Sequence, residues 1–267
     1  IDGQLVPAAE ATVSIFDRGF LYGDGLFEVL RTWGRAVPDL GAHLDRLYAS
    51  ATALEMQMID RATLCEQIAR TIDAAGEGDH RVRITVTRGP GRLGERFGNI
   101  GAGRTIVIAE PIGVLPTEVS LALVDWPLPR RQGPAHKTLA YLDHLVAREL
   151  AAAAGADEAV RLDADGDVAE CGSANVFIVE HGAVLTPPLT GILPGVTRAK
   201  VLVACELFRI PTEEVSVSLE QLRRADEIFV TSAVRGVVPV TKLDGQARPA
   251  GPITARIAAY INARPAI

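Results

Sequence analysis

A single lysine heads an apolar-periodic stretch, HKTLAYLDHLVARELA, that runs from His136 to Ala151. Leu139, Leu142, Leu145, Val146 and Leu150 recur at three- and four-residue steps, which predicts a helix. The preceding WPLPRRQGPA is too rich in proline and glycine to be helical. Lys137 is therefore expected at or near a helix start, where the dipole and the free backbone N–H groups disfavour an ammonium. A lysine so placed and partly buried can serve as a nucleophilic amine; a surface lysine in the first turn is the plainer alternative. GILPGVTR puts two glycines and a threonine before a second helical pattern, so the N–H groups of Val196 and Thr197 could hold a phosphate, or merely begin a capped helix. Ser232 in VTSAVRG ends a strand pattern and could be another phosphate donor. Glu170 lies among strand-like residues, either as an exposed strand-end carboxylate or as a buried acid paired with a protonated nitrogen. Arg46 in HLDRL falls on the polar side of a helix.

Other chemistries lack a signature. Gly89-Pro-Gly91-Arg-Leu-Gly94 fits GxGxxG by letter and follows a strand, but Pro90 intervenes and FGNIGAG follows where a dinucleotide site needs a helix. What remains is a loop carrying Arg88, Arg92 and Arg96, which suits a carboxylate-bearing substrate or simply faces solvent. No GxxxxGK[ST], GxSxG, HExxH or paired-cysteine pattern is present. Lysine amine, phosphate cradle and carboxylate together are what pyridoxal phosphate needs. The amine bonds its aldehyde, the acid keeps the ring nitrogen protonated, and the cradle anchors its phosphate.

These residues need a scaffold, and the chain is long enough for one. It has 267 residues, 48% hydrophobic and 22% charged, which suits one large domain or two moderate ones. The formal net charge of −6 gives no footprint for nucleic acid, and no apolar run approaches a membrane span. Cys65, Cys171 and Cys205 are far apart and without CxxC, so reduced thiols in the cytoplasm are expected, with no metal site. Strand patterns are read at 11–16, 26–33, 81–88, 104–111 and 119–126, and helices at 40–58 and 62–75. Beyond these come the lysine helix to about 154, strands across 158–186 with turns at Asp165–Gly166 and His181–Gly182, a helix at 197–208 and a short helix at 219–224. Strands at 226–233 and 237–245 and a last helix at 253–261 complete the pattern. Pro111–Pro116 is the candidate boundary. The expected organisation is an N-terminal α/β domain at 1–112, a linker at 113–118 and a C-terminal domain at 119–267, in the α/β or α+β class and not doubly wound.

In order along the chain, DRGFLYGDGLFEV, HLDRLYAS, VTRG, KTLAYLDHLVARE, ADEAVRLDADGDVAECGSANVF, LTPPLTGILPGVTR and DEIFVTSAVRGVVPV resemble the class IV aminotransferases, the fold-type IV pyridoxal-phosphate enzymes. The resemblance covers nearly the whole chain. It implies a small N-terminal and a larger C-terminal domain with the cofactor in the cleft, and a homodimer as the working unit. It makes Lys137 the Schiff-base lysine and proton shuttle, and Glu170 the partner of the pyridine nitrogen. Arg46, the backbone of Val196 and Thr197, and Ser232 with Ala233 would hold the phosphate, and Asn175 would belong to the cofactor-side network. The substrates implied are an amino acid and a 2-oxo acid such as 2-oxoglutarate or pyruvate.

Within the family, HLDRLYAS, FEV and DEIFVTS look most like D-amino acid transaminases acting on D-alanine or D-glutamate. The Arg-x-His pair with which those enzymes hold the substrate carboxylate is missing, because Leu93 and Glu95 fall at its positions in TRGPGRLGERF. Arg31, Arg88, Arg92 or Arg96 is then expected to meet the carboxylate. The same loop resembles that of the aminodeoxychorismate lyases, which release pyruvate and 4-aminobenzoate, but Glu28 stands where a threonine tends to follow the phenylalanine of GDGxF. A branched-chain L-amino acid aminotransferase is the third reading. Ala140 departs from the asparagine usual three residues after the lysine.

Overall fold

Apolar residues at every second position of RVRITVT, and at helical spacing in the two segments before it, give the first part of the chain one buried face per element. In the computed structural model, which describes residues 1–96, 103–130 and 132–264, this part comprises a short helix α1 (Arg18–Tyr22), strand β1 (Gly25–Arg31), helices α2 (Leu40–Ala53) and α3 (Arg61–Ala75), and strands β2 (His80–Thr87) and β3 (Thr105–Pro111). The strands form an antiparallel sheet in the order β1-β2-β3. Leu26 and Leu30 of β1 and Val82, Ile84 and Val86 of β2 meet Leu44, Leu47 and Ala51 of α2 and Leu64, Ile68 and Ile72 of α3 in one core. Asp60 caps α3 by accepting the Thr63 N–H at 2.9 Å.

The remainder is built on a larger sheet. Its elements are β4 (Val119–Leu123), α4 (Leu142–Ala153), β5 (Glu158–Leu162), β6 (Val168–Cys171), β7 (Asn175–Glu180), β8 (Ala183–Thr186), α5 (Val196–Phe208), β9 (Thr212–Glu214), α6 (Leu219–Arg224), β10 (Glu227–Ser232), β11 (Gly236–Leu243), β12 (Gln246–Ala247) and α7 (Pro252–Ile261). The strands run β6-β5-β4-β11-β10-β7-β8-β9, with β12 paired to β11. The apolar runs NVFIV and IFV are continuous because both faces of the sheet centre are covered. Val176, Ile178, Ile228 and Val230 enter one core with Leu121, Val160 and Val240. Phe177, Val179 and Phe229 enter another with Val201 and Cys205 of α5 and Ile257 of α7. The rings of Phe177 and Phe229 stack with centroids 4.8 Å apart.

By contacts the chain divides into two compact units, and the division is not a single cut. The first holds Ile1–Gly113 together with His136–Tyr141; the second holds Val114–Ala135 and Leu142–Arg264. The lysine segment is thus part of the first unit. Among the described residues no helix is long and apolar enough to cross a membrane.

Several local expectations are corrected. Lys137 does not open a helix: residues 136–141 are irregular and α4 starts only at Leu142. Leu142, Leu145 and Leu150 do not form its buried stripe, since all three are exposed and Ala147 and Ala151 pack inward. Small residues let α4 lie close on the sheet, whereas the leucine spacing misled. Residues 11–16 are not a strand but an irregular segment. The helix read at 40–58 ends at Ala53, where Leu54 and Glu55 turn out and the backbone of Glu55 is left-handed.

Candidate active site

In the first unit, the lysine is placed by backbone pairing. Phe27 N–H donates to the Lys137 carbonyl and Leu139 N–H to the Gly25 carbonyl, each at 2.9 Å, and Leu26 and Thr138 form an antiparallel bridge. Residues 137–139 therefore extend the sheet beyond the free edge of β1. Gly23 makes this approach possible: its φ is +66°, and a Cβ there would lie 2.8 Å from the Ala140 nitrogen. Lys137 thus lies away from any helix terminus, five residues before α4 begins at Leu142. Instead, its Nζ lies 4.6 Å from the centroid of the Phe27 ring and 5.8 Å from that of Tyr141. The two rings meet edge to face at 5.2 Å.

The same Phe27 ring carries a second cation. The Arg83 guanidinium lies 4.0 Å from its centroid, and Arg83 Nε donates to Thr85 Oγ1 at 3.1 Å. Arg83 is half-buried on β2, and burial pulls its pKa down while Tyr141 opposes the shift. Arg83 is absent from the sequence candidates. A signal for it exists: it sits at an alternate position of β2, between the core-facing Val82 and Ile84.

Arg46 projects from α2 on the same face as His43 and Ser50. Its Nε and Nη2 donate to the two oxygens of Glu28 at 2.8 and 2.6 Å, and His43 Nδ1 lies 2.8 Å from Glu28 Oε2. Glu28 is 1% exposed on the core side of β1. Burial alone would raise its pKa, but the hydrogen bonds and charges of His43 and Arg46 outweigh that and hold it below the ordinary glutamate range. His136, beside the lysine, has Nδ1 3.1 Å from Ser50 Oγ.

The other arginine candidates fare differently. Arg88 is buried and donates to Asp24, at 2.9 and 3.0 Å, and to the carbonyls of Glu55 and Leu54. Arg31 reaches Asp79 at 3.2 Å and stacks 3.6 Å from the Trp33 centroid. Arg92 and Arg96 are exposed. Glu95 and Leu93 lie in the same loop, where Glu95 Oε2 accepts the Arg92 N–H and the Glu95 carbonyl accepts from Arg18. The rest of the loop, 97–102, lies outside the described residues.

In the second unit, two side chains grip the backbone of one residue, Leu193. Glu170, at the end of β6 and 4% exposed, accepts the Leu193 N–H on Oε2 at 3.1 Å. Asn175, at the start of β7, donates to the Leu193 carbonyl at 3.0 Å. Two residues on, Gly195 stands at the N-cap of α5 with its Cα so close to Asn175 that a Cβ would lie 2.0 Å from Oδ1. No side chain caps α5, and the first helical bond is that of the Ala199 N–H to the Gly195 carbonyl. The N–H groups of Val196 and Thr197 at the head of a 13-residue helix thus suit an anion. Arg198 holds that turn from behind by donating to the Pro187 carbonyl at 2.8 Å and to Glu214 at 2.6 Å. Ser232 closes β10, and Ala233 opens the turn into β11. A buried carboxylate, an uncapped helix terminus, and a turn with a hydroxyl fit a protonated ring nitrogen and a phosphate.

Comparison with known proteins gives these local features a context. Residues 25–243 match the family described as amino-transferase class IV. A putative branched-chain-amino-acid aminotransferase of Methanocaldococcus jannaschii is 35% identical over 92% of this chain and 88% of its own length. A D-alanine aminotransferase of Bacillus licheniformis is 34% identical with the same coverage. Among solved structures, the branched-chain aminotransferase of the thermophilic archaeon Thermoproteus uzoniensis, determined with norvaline, superposes with a TM-score of 0.90 at 32% identity, covering 98% of this chain and 92% of that one. Another branched-chain amino acid aminotransferase, 28% identical, is complexed with N-(5'-phosphopyridoxyl)-L-glutamate, a derivative of pyridoxal phosphate. A putative 4-amino-4-deoxychorismate lyase of Legionella pneumophila gives a TM-score of 0.88 at 26%, covering 98% and 97%.

Proposed function

The chain belongs to the class IV aminotransferase family, whose members use pyridoxal phosphate, and from that premise we propose that it is a transaminase exchanging an amino group between an amino acid and a 2-oxo acid. When bound, pyridoxal phosphate supplies an aldehyde that condenses with amines and a ring that accepts electrons from the substrate α-carbon. Lys137 Nζ is the amine that anchors this aldehyde in the resting enzyme. With the cofactor bound, the same nitrogen would take the substrate α-proton and return it. Glu170 keeps the ring nitrogen protonated. The N–H groups of Val196 and Thr197, with Ser232, Ala233 and Arg46, hold the phosphate. Asn175 fixes the Leu193–Gly195 turn that presents those N–H groups. A homodimer in the cytoplasm is the setting this reading expects.

The observation that carries the substrate reading is Arg83. A half-buried guanidinium shares the Phe27 ring with Lys137 and has no carboxylate partner among the described residues. Such a charge suits a second carboxylate, so one member of the substrate pair is a dicarboxylate such as glutamate or 2-oxoglutarate. For the other we propose a D-amino acid, D-alanine or D-glutamate, supported by the likeness to D-alanine aminotransferase and by the HLDRLYAS and FEV motifs. A branched-chain L-amino acid is the second reading. It is favoured by the Methanocaldococcus relative and by Leu93, 69% exposed, standing where the D-type arginine falls. Lyase activity on aminodeoxychorismate is the alternative in reaction type.

Lys137→Ala tests the assignment. The variant is expected to be colourless after dialysis and to take up no label from borohydride reduction. A variant that stays yellow overturns the role of Lys137.

A further inference from the structure

The second unit contains an ion pair, between the buried Glu158 and the half-buried Arg235, that none of the steps above uses. Glu158 opens β5 and is 1% exposed. Its Oε2 accepts from Ser173 Oγ at 2.5 Å and from Arg235 Nη2 at 2.9 Å, and Arg235 Nη2 lies 3.2 Å from Ser173 Oγ. Ser173 sits in the turn between Glu170 and Asn175. Arg235 sits in the turn between β10 and β11, where its Nε and its backbone N–H both approach Ser232 Oγ at 3.4 Å. One carboxylate therefore touches both turns that carry the proposed cofactor contacts.

The β7–β10 ladder ends at the pair Asn175–Thr231, and Ser232 then pairs with Gly236 of β11. Beyond Thr231 the two turns are joined through Glu158, Ser173 and Arg235. The first turn is pressed onto this carboxylate: a Cβ at Gly172 would lie 2.9 Å from Glu158 Oε1 and 2.7 Å from Arg148 Cγ. The buried Glu158 carboxylate is tolerated because the half-buried Arg235 guanidinium neutralises it, and their directional bonds fix a relative position that apolar packing would leave loose.

We infer that Glu158 and Arg235 are positioning residues that set the Ser232–Ala233 turn relative to the Glu170–Asn175 turn, and so govern how tightly pyridoxal phosphate is held. The inference rests on the transaminase reading. Charge pairing also makes it separable from a general loss of fold. Removing Arg235 leaves the Glu158 charge buried and without this partner, and removing Glu158 leaves Arg235 half-buried without its carboxylate, whereas removing both leaves neither.

The test uses wild-type holoenzyme with E158Q, R235Q, the E158Q/R235Q double variant, and S173A and R235K as milder changes. Pyridoxal phosphate dissociation is measured by equilibrium dialysis, and KM and kcat at saturating cofactor. Each charge-removing single variant is expected to weaken cofactor binding and raise the amino-acid KM about tenfold, with kcat changed less than about twofold. The double variant is expected to be no worse than R235Q alone, a non-additivity that marks a coupled pair. Wild-type dissociation constants and KM values in both single variants, with only a lower unfolding temperature, overturn the inference. Should E158Q not fold, S173A and R235K carry the same comparison, and wild-type cofactor affinity in both overturns it equally. Borohydride labelling of wild type and its loss in Lys137→Ala are run alongside. Absence of label in wild type overturns the transaminase reading itself, whereas normal label with unchanged affinities removes only the role of Glu158 and Arg235.

Discussion

Glu28 stands on the core face of β1 between Leu26 and Leu30, a place where a carboxylate survives only with partners, and it has two in His43 and Arg46. Because its folded pKa lies below the ordinary glutamate range, the folded chain binds this proton less readily than the unfolded chain. Its contribution to stability is therefore fully present above that ordinary range and is lost as pH falls through the depressed folded value. Glu28→Gln is expected to cost about 3 kcal/mol at neutral pH and to flatten the acid side of the stability profile. Urea unfolding of both proteins across neutral and acid pH checks this, and parallel profiles would remove Glu28 from the account. Arg83 gives a second prediction. Arg83→Met is expected to raise KM for 2-oxoglutarate about ten- to a hundredfold, the worth of a charged hydrogen bond, while leaving pyruvate nearly unaffected. An equal rise for both acceptors would show that Arg83 does not read the second carboxylate. Motif and order single out Lys137, Glu170 and the GVT turn in the sequence as candidates, and the roles given to them above are proposals. Arg83 is not legible there, because an arginine in an alternating strand reads as a solvent-facing residue, and only the fold brings Phe27 and the lysine segment beside it.

At the scale of elements, periodicity locates most strands and helices where the cores need them. It fails at the lysine. The leucine spacing from Leu139 to Leu150 imitates a helical stripe, yet what holds residues 137–139 is edge pairing with β1, a long-range contact invisible to local pattern. The glycines of GDG carry the missing information. Gly23 takes a left-handed conformation within reach of the Ala140 backbone. Gly23→Ala adds a backbone cost of roughly 1–2 kcal/mol and a clash that pushes residues 137–141 off the sheet edge. Its expected signature is a several-fold lower rate of borohydride-trapped cofactor, with the far-ultraviolet circular dichroism of the helices retained. Wild-type trapping in Gly23→Ala would contradict the placement. The runs NVFIV and IFV are readable as strands, but the double coverage that explains them becomes visible only with α5 and α7 in place.

At the scale of the whole molecule, the chain leaves the second unit after Ala135, contributes the lysine segment to the first, and returns at Leu142. A boundary drawn once near Pro111 cannot express this, because composition marks linkers and not excursions. The three thiols are free and differ in exposure: Cys171 and Cys205 are buried, and burial pushes both thiols up, while Cys65 is half-buried. A thiol reagent on the native enzyme is expected to label Cys65 first, with Cys171 and Cys205 reacting only on unfolding; early labelling of Cys171, read by mass spectrometry, would contradict the sheet packing around it. The central claim is that this molecule moves an amino group with Lys137 as its base. The most direct measurement is a single half-reaction followed by absorbance, with purified yellow enzyme mixed separately with D-alanine, D-glutamate and L-leucine and no keto acid present. A donor amino acid is expected to convert the resting band to that of the aminated cofactor, and a keto acid then to restore it. If no amino acid changes the band and aminodeoxychorismate instead releases pyruvate, the claim of a transaminase is contradicted.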